Sequence, residues 1–301
     1  MLLKRALLTL AVIMLASPVW GGGLTVLAVK SKNLEPYNQA LSGFRAEFQG
    51  RELNLVVIDE VERDTDLSSR IKGVNPDLIL CLGSEALECA CRIAGAPKLF
   101  CMVTSSGAAD WAGKANVFGV TIDLPCKRQL EVLSSAFPKL KRIGLMYDPK
   151  LNQGLAARAE TEARALELEL VARPVQSIKD VPSALLELSG KIDLLWSIFD
   201  SVAYGPETAR YVLLHTLKKD LPFVGFSAQH AKAGAIMAIY GDYEDMGRQL
   251  ALIVPSILNH EKVAENIMQP RAIKIAVNRR VADSMGISFP PAFLRGVGEF
   301  Y

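Results

Sequence analysis

The sequence lacks the short signatures that would mark most enzymes. No G-x-G-x-x-G follows a strand-like run: Gly21, Gly22 and Gly23 precede the first such run, and the loop after it, SKNLEPY, contains no glycine. A dinucleotide site needs those glycines between strand and helix so that a pyrophosphate can approach the backbone. No G-x-S-x-G elbow occurs either, because GFSAQH at Gly225 departs from it at the last position. Carboxylates occur near strand ends without a spacing that pairs them, so no catalytic residue is assigned. Histidine is scarce: His215, His230 and His260 are scattered. Cys89 and Cys91 form a C-x-C, a poor match to the usual zinc spacings. No metal and no cofactor are expected. All five cysteines, Cys81, Cys89, Cys91, Cys101 and Cys126, lie in the first half. Their odd number leaves at least one thiol unpaired within the chain, although an oxidising compartment would permit disulfides among the others. They are read as structural.

The chain also lacks a membrane-spanning run and carries little net charge, formally +2. The longest apolar stretch, Ala6 to Ala16, falls short of the about 20 residues a span requires. It follows Lys4 and Arg5 and precedes Pro18, Trp20 and Gly21-Gly22-Gly23, the pattern of a cleaved secretory leader covering residues 1–23. No cysteine near the expected cut offers a lipid attachment point. The sequence holds 34 basic and 32 acidic residues, and removing Lys4 and Arg5 with the leader leaves 32 of each. Neither nucleic acid nor an anionic membrane surface is favoured as a partner. The expectation is a periplasmic protein.

What is present is a large core. Half of the 301 residues are hydrophobic and 22% are charged, the composition of a globular chain. Unbroken apolar runs, VLAVK from Val26, LNLVVID from Leu53, DLILCLG from Asp77, KLFCMVT from Lys98 and VFGVTID from Val117, alternate with helical patterns such as Tyr37 to Phe48 and Glu85 to Ala94. Such runs predict parallel strands buried on both faces. The second half repeats the arrangement. RIGLMYDPK from Arg142 parallels VLAVKSKN. DLLWSIFDSVA from Asp193 parallels DLILCLGSEA, LPFVGFSAQH from Leu221 parallels PKLFCMVTSS, and AIMAIYGDYEDM from Ala235 parallels VFGVTIDLP. The fold class is therefore α/β, two Rossmann-like doubly wound lobes. Ligands of such sheets bind outside the carboxyl ends of the strands, and ID-LP and YGDYEDM are natural crossings between lobes.

With KSKNLEPYNQALSGF, NPDLILCLGSEAL, NVFGVTIDLPCKRQLEVL, KRIGLMYDP, GDYEDMGRQLA and KIAVNRRVADSMGISFPPAFL in view, the chain from about Val26 to Tyr301 resembles the type I periplasmic substrate-binding proteins of ABC transporters. Within them it is similar to the branch that includes tryptophan- and tyrosine-binding members. The resemblance implies two lobes, three crossing segments and a ligand closed between them, with residues 24–122 plus about 244–275 in one lobe and 123–243 plus about 276–301 in the other. It also implies a monomer that binds a small molecule, amino acid-like or aromatic, and works with a transporter permease. A ligand-sensing protein that signals through a membrane receptor is the alternative. Members that bind aromatic amino acids tend to have a histidine in the loop after the first strand, where this chain has SKNLEPYNQ.

The strand ends nominate the ligand contacts. In the first half these are Ser31, Asn33 and Tyr37 of the opening loop, Ser84 and Glu85 at a helix start suited to an anionic group, and Thr104 and Ser105 after the next strand. Ser84 can equally be a simple N-cap and Tyr37 a packing residue. In the second half they are Tyr147, Asp148, Phe199, Asp200, Phe226 and Ser227, where aromatics with one carboxylate could hold a ring or an ammonium group. Phe226 as plain core is the competing reading. Tyr240, Asp242 and Tyr243 lie at one expected crossing. Asp123 lies at the other, as a hinge residue or a cap of the helix after it.

Overall fold

The computed structural model describes residues 23–301, so the expected leader lies outside the described residues except for Gly23. In chain order the strands are β1 (Leu24–Lys30), β2 (Leu53–Ile58), β3 (Leu78–Leu82), β4 (Lys98–Val103), β5 (Val117–Thr121), β6 (Arg142–Tyr147), β7 (Glu169–Pro174), β8 (Leu194–Trp196), β9 (Phe223–Gly225), β10 (Met237–Gly241), β11 (Ile267–Met268), β12 (Ile273–Val277) and β13 (Glu299–Phe300). They form two sheets, ordered β11-β5-β4-β3-β1-β2 and β13-β12-β10-β9-β8-β6-β7. Every pairing is parallel except β10 with β12. The five strands of the first half and β6 to β10 of the second adopt the same order, with the first strand between the second and third. The repeat read in the sequence is thus a repeat of topology.

The likeness extends to single hydrogen bonds. Asp77, just before β3, accepts the backbone N–H of Thr25 at 2.7 Å. Asp193, just before β8, accepts those of Arg142 at 2.8 Å and Lys141 at 3.0 Å. In both halves this carboxylate takes an N–H at the start of the first strand.

Helical crossovers bury both faces of the first sheet, so β3, β4 and β5 are buried along their whole length. Alternate side chains separate into two cores. Leu27, Val29, Ile79, Cys81 and Phe100 meet Ala86, Leu87 and Ala90 of helix Ser84–Cys91. Val26, Ala28, Leu80, Leu82 and Cys101 meet helices Glu35–Ala46 and Tyr243–Leu258. These last two helices touch backbone to backbone. A Cβ built on Gly43 would lie 1.8 Å from the Glu244 carbonyl oxygen, and one on Gly247 1.9 Å from that of Ala40. Only hydrogen fits at either position. The five cysteines are free thiols, with Cys81, Cys89 and Cys101 buried.

The chain passes between the sheets three times: after β5 (residues 122–125), after β10 at Asp242, and between β11 and β12 (residues 269–272). The last two passages are fastened together. The Asp242 N–H donates to the Ala272 carbonyl at 3.1 Å. The Asp242 carboxylate caps helix Tyr243–Leu258 and pairs with Lys274 at 3.2 Å. Arg271 forms a two-pronged pair with Asp245, 2.9 and 2.8 Å, while Arg128 donates to the Arg271 carbonyl at 2.6 Å. Gln249 donates to the Gln269 carbonyl at 3.1 Å.

The hydrogen bonds from Arg271 hold the Asp245 carboxyl below the ordinary carboxylate range. A depressed pKa gives stability that is present above the unfolded value, near 4, and is lost as pH falls through the folded value. Asp245→Asn is expected to lower unfolding free energy by about 1 kcal/mol at pH 7, since Arg271 is half-exposed. Denaturant titrations of both proteins should show that gap closing below about pH 4. A gap that persists at low pH would assign the effect to something other than the ion pair.

Among the described residues no helix is long and apolar enough to cross a membrane.

Candidate functional site

The carboxyl end of β1 is a braced corner. The buried Lys30 ammonium lies 2.5 Å from the Asp59 carboxylate and donates to Asn38 at 2.8 Å and Asn33 at 3.3 Å. Asn33, exposed, is thereby engaged in holding the loop. Ser31 is buried, and its hydroxyl accepts the Ala86 N–H at 3.0 Å. One donor of the helix start at Ser84 is therefore already satisfied from within the protein. Gly83, at φ +100°, lets the two loops meet: a Cβ there would lie 2.4 Å from the Ser31 hydroxyl and 3.1 Å from that of Tyr37. Tyr37 so reaches across to the end of β3. Its burial, and then the charge of Glu85, push its phenol pKa up.

Ser84 and Glu85 are half-buried. A Cβ on Gly107 would stand 3.6 Å from the Ser84 hydroxyl, so the loops after β3 and β4 abut. Thr104 caps its short helix by accepting the Gly107 N–H at 3.1 Å. The Ser105 N–H donates to Asp123 in the first passage between the sheets. Helix Cys126–Ala136 has Pro125 at its N-cap position and no side-chain cap, so Asp123 holds the Ser105 loop and does not cap that helix.

In the second sheet the carboxylates turn inwards. Asp200 accepts the N–H groups of Asp148 (2.6 Å), Val202 (3.0 Å) and Ala203 (2.8 Å) and the Asn152 amide (2.8 Å). Both of its oxygens are engaged internally. Asp148 is buried and caps helix Pro149–Ala165 through the Lys150 N–H at 2.9 Å. The Tyr147 hydroxyl donates to Gln153 at 3.2 Å. Ser227 is 2.7 Å from His230 Nδ1, and burial holds that imidazole down at about 4, hence neutral. Tyr240 packs on Tyr243, their ring centroids 5.8 Å apart, and donates to Glu299 at 2.8 Å.

The aromatics come together. The Phe199 and Phe226 rings stand 4.4 Å apart. With Leu124, Leu155, Ile239 and Asp123 they line a small recess. A second recess adjoins it, sharing Asp123, Leu124 and Leu155 and extending to Ser105, Arg158 and Gln269. Leu155, Ile239, Arg158, Lys30 and His230 were not among the residues nominated by the sequence. Leu155 and Arg158 belong to the helix of the second half that corresponds to the Tyr37 helix, and that correspondence was the signal available. Among the described residues no group of histidine, cysteine and carboxylate side chains could hold a metal ion. The arrangement suits binding: an apolar slot for a ring or branched chain, with polar loop ends around it.

Residues 61–299 match the profile of a family described as ABC transporter substrate binding protein. The chain belongs to that family. Its members are solute-binding proteins rather than enzymes. A tyrosine-binding protein from Clostridioides difficile (strain R20291) is 23% identical over 152 residues, which are 50% of this chain and 44% of that protein. The match thus spans less than half the length of that relative. Among solved structures, an ABC domain from Streptococcus pneumoniae in complex with L-Trp is similar at a TM-score of 0.67 and 16% identity, covering 92% of this chain and 100% of the other. The ligand-free, open structure of a substrate-binding protein with adhesive properties from Clostridium difficile gives 0.74 and 20%, covering 92% and 98%. At these identities the structures speak for the fold, that of the type I periplasmic binding proteins, which agrees with the α/β expectation.

Proposed function

We propose that the protein captures a small organic solute, amino acid-like or aromatic, between two lobes and delivers it to the permease of an ABC transporter. The lobes are 24–122 with about 244–275, and 123–243 with about 276–301. It acts as a monomer outside the cytoplasm after removal of its leader. The observation that carries this reading is the meeting of strand-end loops from both sheets at Asp123, Phe199 and Phe226, beside the passages that join the sheets. Phe199 and Phe226 cover the apolar part of the solute. Tyr37, Ser84, Glu85, Thr104 and Ser105 supply the opposite wall. Asp148 and Asp200 hold the second wall in shape, and Ser31 and Asn33 do so for the first.

A thermal-shift screen of amino acids, nucleosides and small acids should identify a binder, and scattering should show a smaller radius of gyration once it is bound. Calorimetry on Phe226→Ala is then expected to show affinity weakened by about 2 kcal/mol, roughly thirtyfold, from the lost aromatic surface. Unchanged affinity in a folded Phe226→Ala, with unchanged scattering at saturation, would remove the site from this cleft.

A further inference from the structure

Resting on the solute-capture reading, we propose that Asp123 determines specificity by binding a protonated amine of the ligand, adjacent to the apolar group held by Phe199 and Phe226. Asp123 is 7% exposed and lines both adjoining recesses. The other polar residue of the apolar recess, Gln129, is committed: its amide donates to the Leu124 carbonyl at 3.1 Å and accepts from the Trp196 indole at 3.1 Å. Asp123 has lighter support: the Ser105 N–H donates to Oδ2, the Ser105 hydroxyl also favours the charged carboxylate, and among the described residues no ion pair involves it. Arg158 lines the adjoining recess and acts on Asp123 only as a more distant charge. Asp200 provides the contrast, a buried carboxylate with four protein donors.

A carboxylate buried without a cation is held at a desolvation cost. Burial pushes the Asp123 pKa up, with the Ser105 hydrogen bonds opposing it. An ammonium entering the recess supplies the missing counter-charge and forms a charge-assisted hydrogen bond in a water-poor site. A ligand carboxylate at the same place meets repulsion. The recess therefore discriminates by charge beside Asp123 and by apolar shape beside the phenylalanines. Because Asp123 stands in a passage between the sheets and holds the loop after β4, the ligand's amine is bound at the point about which the lobes close.

The test is calorimetry of the full chain and of Asp123→Asn with three probes that share a ring: 2-phenylethylamine, 3-phenylpropionate and phenylalanine. Asparagine keeps the shape and can still accept the Ser105 N–H, so the unliganded protein should melt at the same temperature or higher. The two amines are expected to bind the parent more tightly than the acid. Their affinity for Asp123→Asn should fall roughly tenfold to a hundredfold, with that of 3-phenylpropionate unchanged or improved. The inference is overturned if the acid binds the parent as tightly as the amine, if Asp123→Asn binds the amines unchanged, or if none of the three binds. The cleft itself would survive each of those outcomes, provided any compound from the wider screen binds and loses affinity in Phe226→Ala.

Discussion

Gly247→Ala should melt roughly 5–10 °C below the parent protein, from a net loss of about 2–3 kcal/mol. The added methyl would sit 1.9 Å from the Ala40 carbonyl oxygen and 2.7 Å from the Phe44 nitrogen. Both are backbone atoms inside helix Glu35–Ala46, so no side chain can swing aside. Helix Tyr243–Leu258 must move outward and loosen Met246, Leu250 and Val254 from the core they share with Phe44 and Leu82. Alanine's better helix propensity returns at most about 1 kcal/mol. Gly154→Ala is the matched control, because a Cβ there meets only the Arg158 guanidinium at 3.6 Å. It should raise the midpoint slightly. Equal midpoints for the two variants would mean that the helices are not in backbone contact.

Asp200→Ala is expected to cost about 3–5 kcal/mol of folding stability, whether or not ligand is present. Four donors lose their acceptor together. Three are backbone N–H groups, from Asp148, Val202 and Ala203, and the fourth is the buried Asn152 amide. Asparagine should not rescue, because its NH2 would face two of those donors. Denaturant unfolding followed by circular dichroism measures the loss. A variant as stable as the parent that has lost only affinity would instead place Asp200 among the ligand contacts, as the strand-end pattern suggests.

That contrast shows how far the sequence could be read. The strands β1 and β3 to β5 were legible because a strand buried on both faces is a continuous apolar run, as at Val26 to Lys30 and Leu78 to Leu82, whereas β2 reads as apolar but lies at the sheet edge with Asn54 and Val57 exposed. The strands β8 and β9 are three residues long, yet apolar residues continue past them, at Ile198 and Phe199 beyond Ser197 and at Phe226. Those extra residues line the recess. The two-residue strands β11 and β13 carry no pattern at all. The first helix begins at Glu35, ahead of Tyr37, because Pro36 suits a first turn. For the site, the sequence could place Asp123 and Asp200 at strand ends. It could not show which way each carboxylate turns. For Asp200 that is set by the Asp148 N–H, 52 residues away, and by the Asn152 amide in the neighbouring helix.

The backbone contacts of Gly43 with Glu244 and of Gly247 with Ala40 join residues some two hundred positions apart. The first sheet is the first to leave the ribosome, but its cover is among the last segments made. Until residues 243–258 emerge, the flank of helix Glu35–Ala46 around Ala40 and Phe44 has nothing to close against, and the β5 edge waits for β11. The sheet that begins first is thus finished after the strands β6 to β10 have been synthesised. Such distant pairings slow folding and prolong the exposure of apolar surface, so the nascent chain spends most of its synthesis in a form that needs protection from its neighbours.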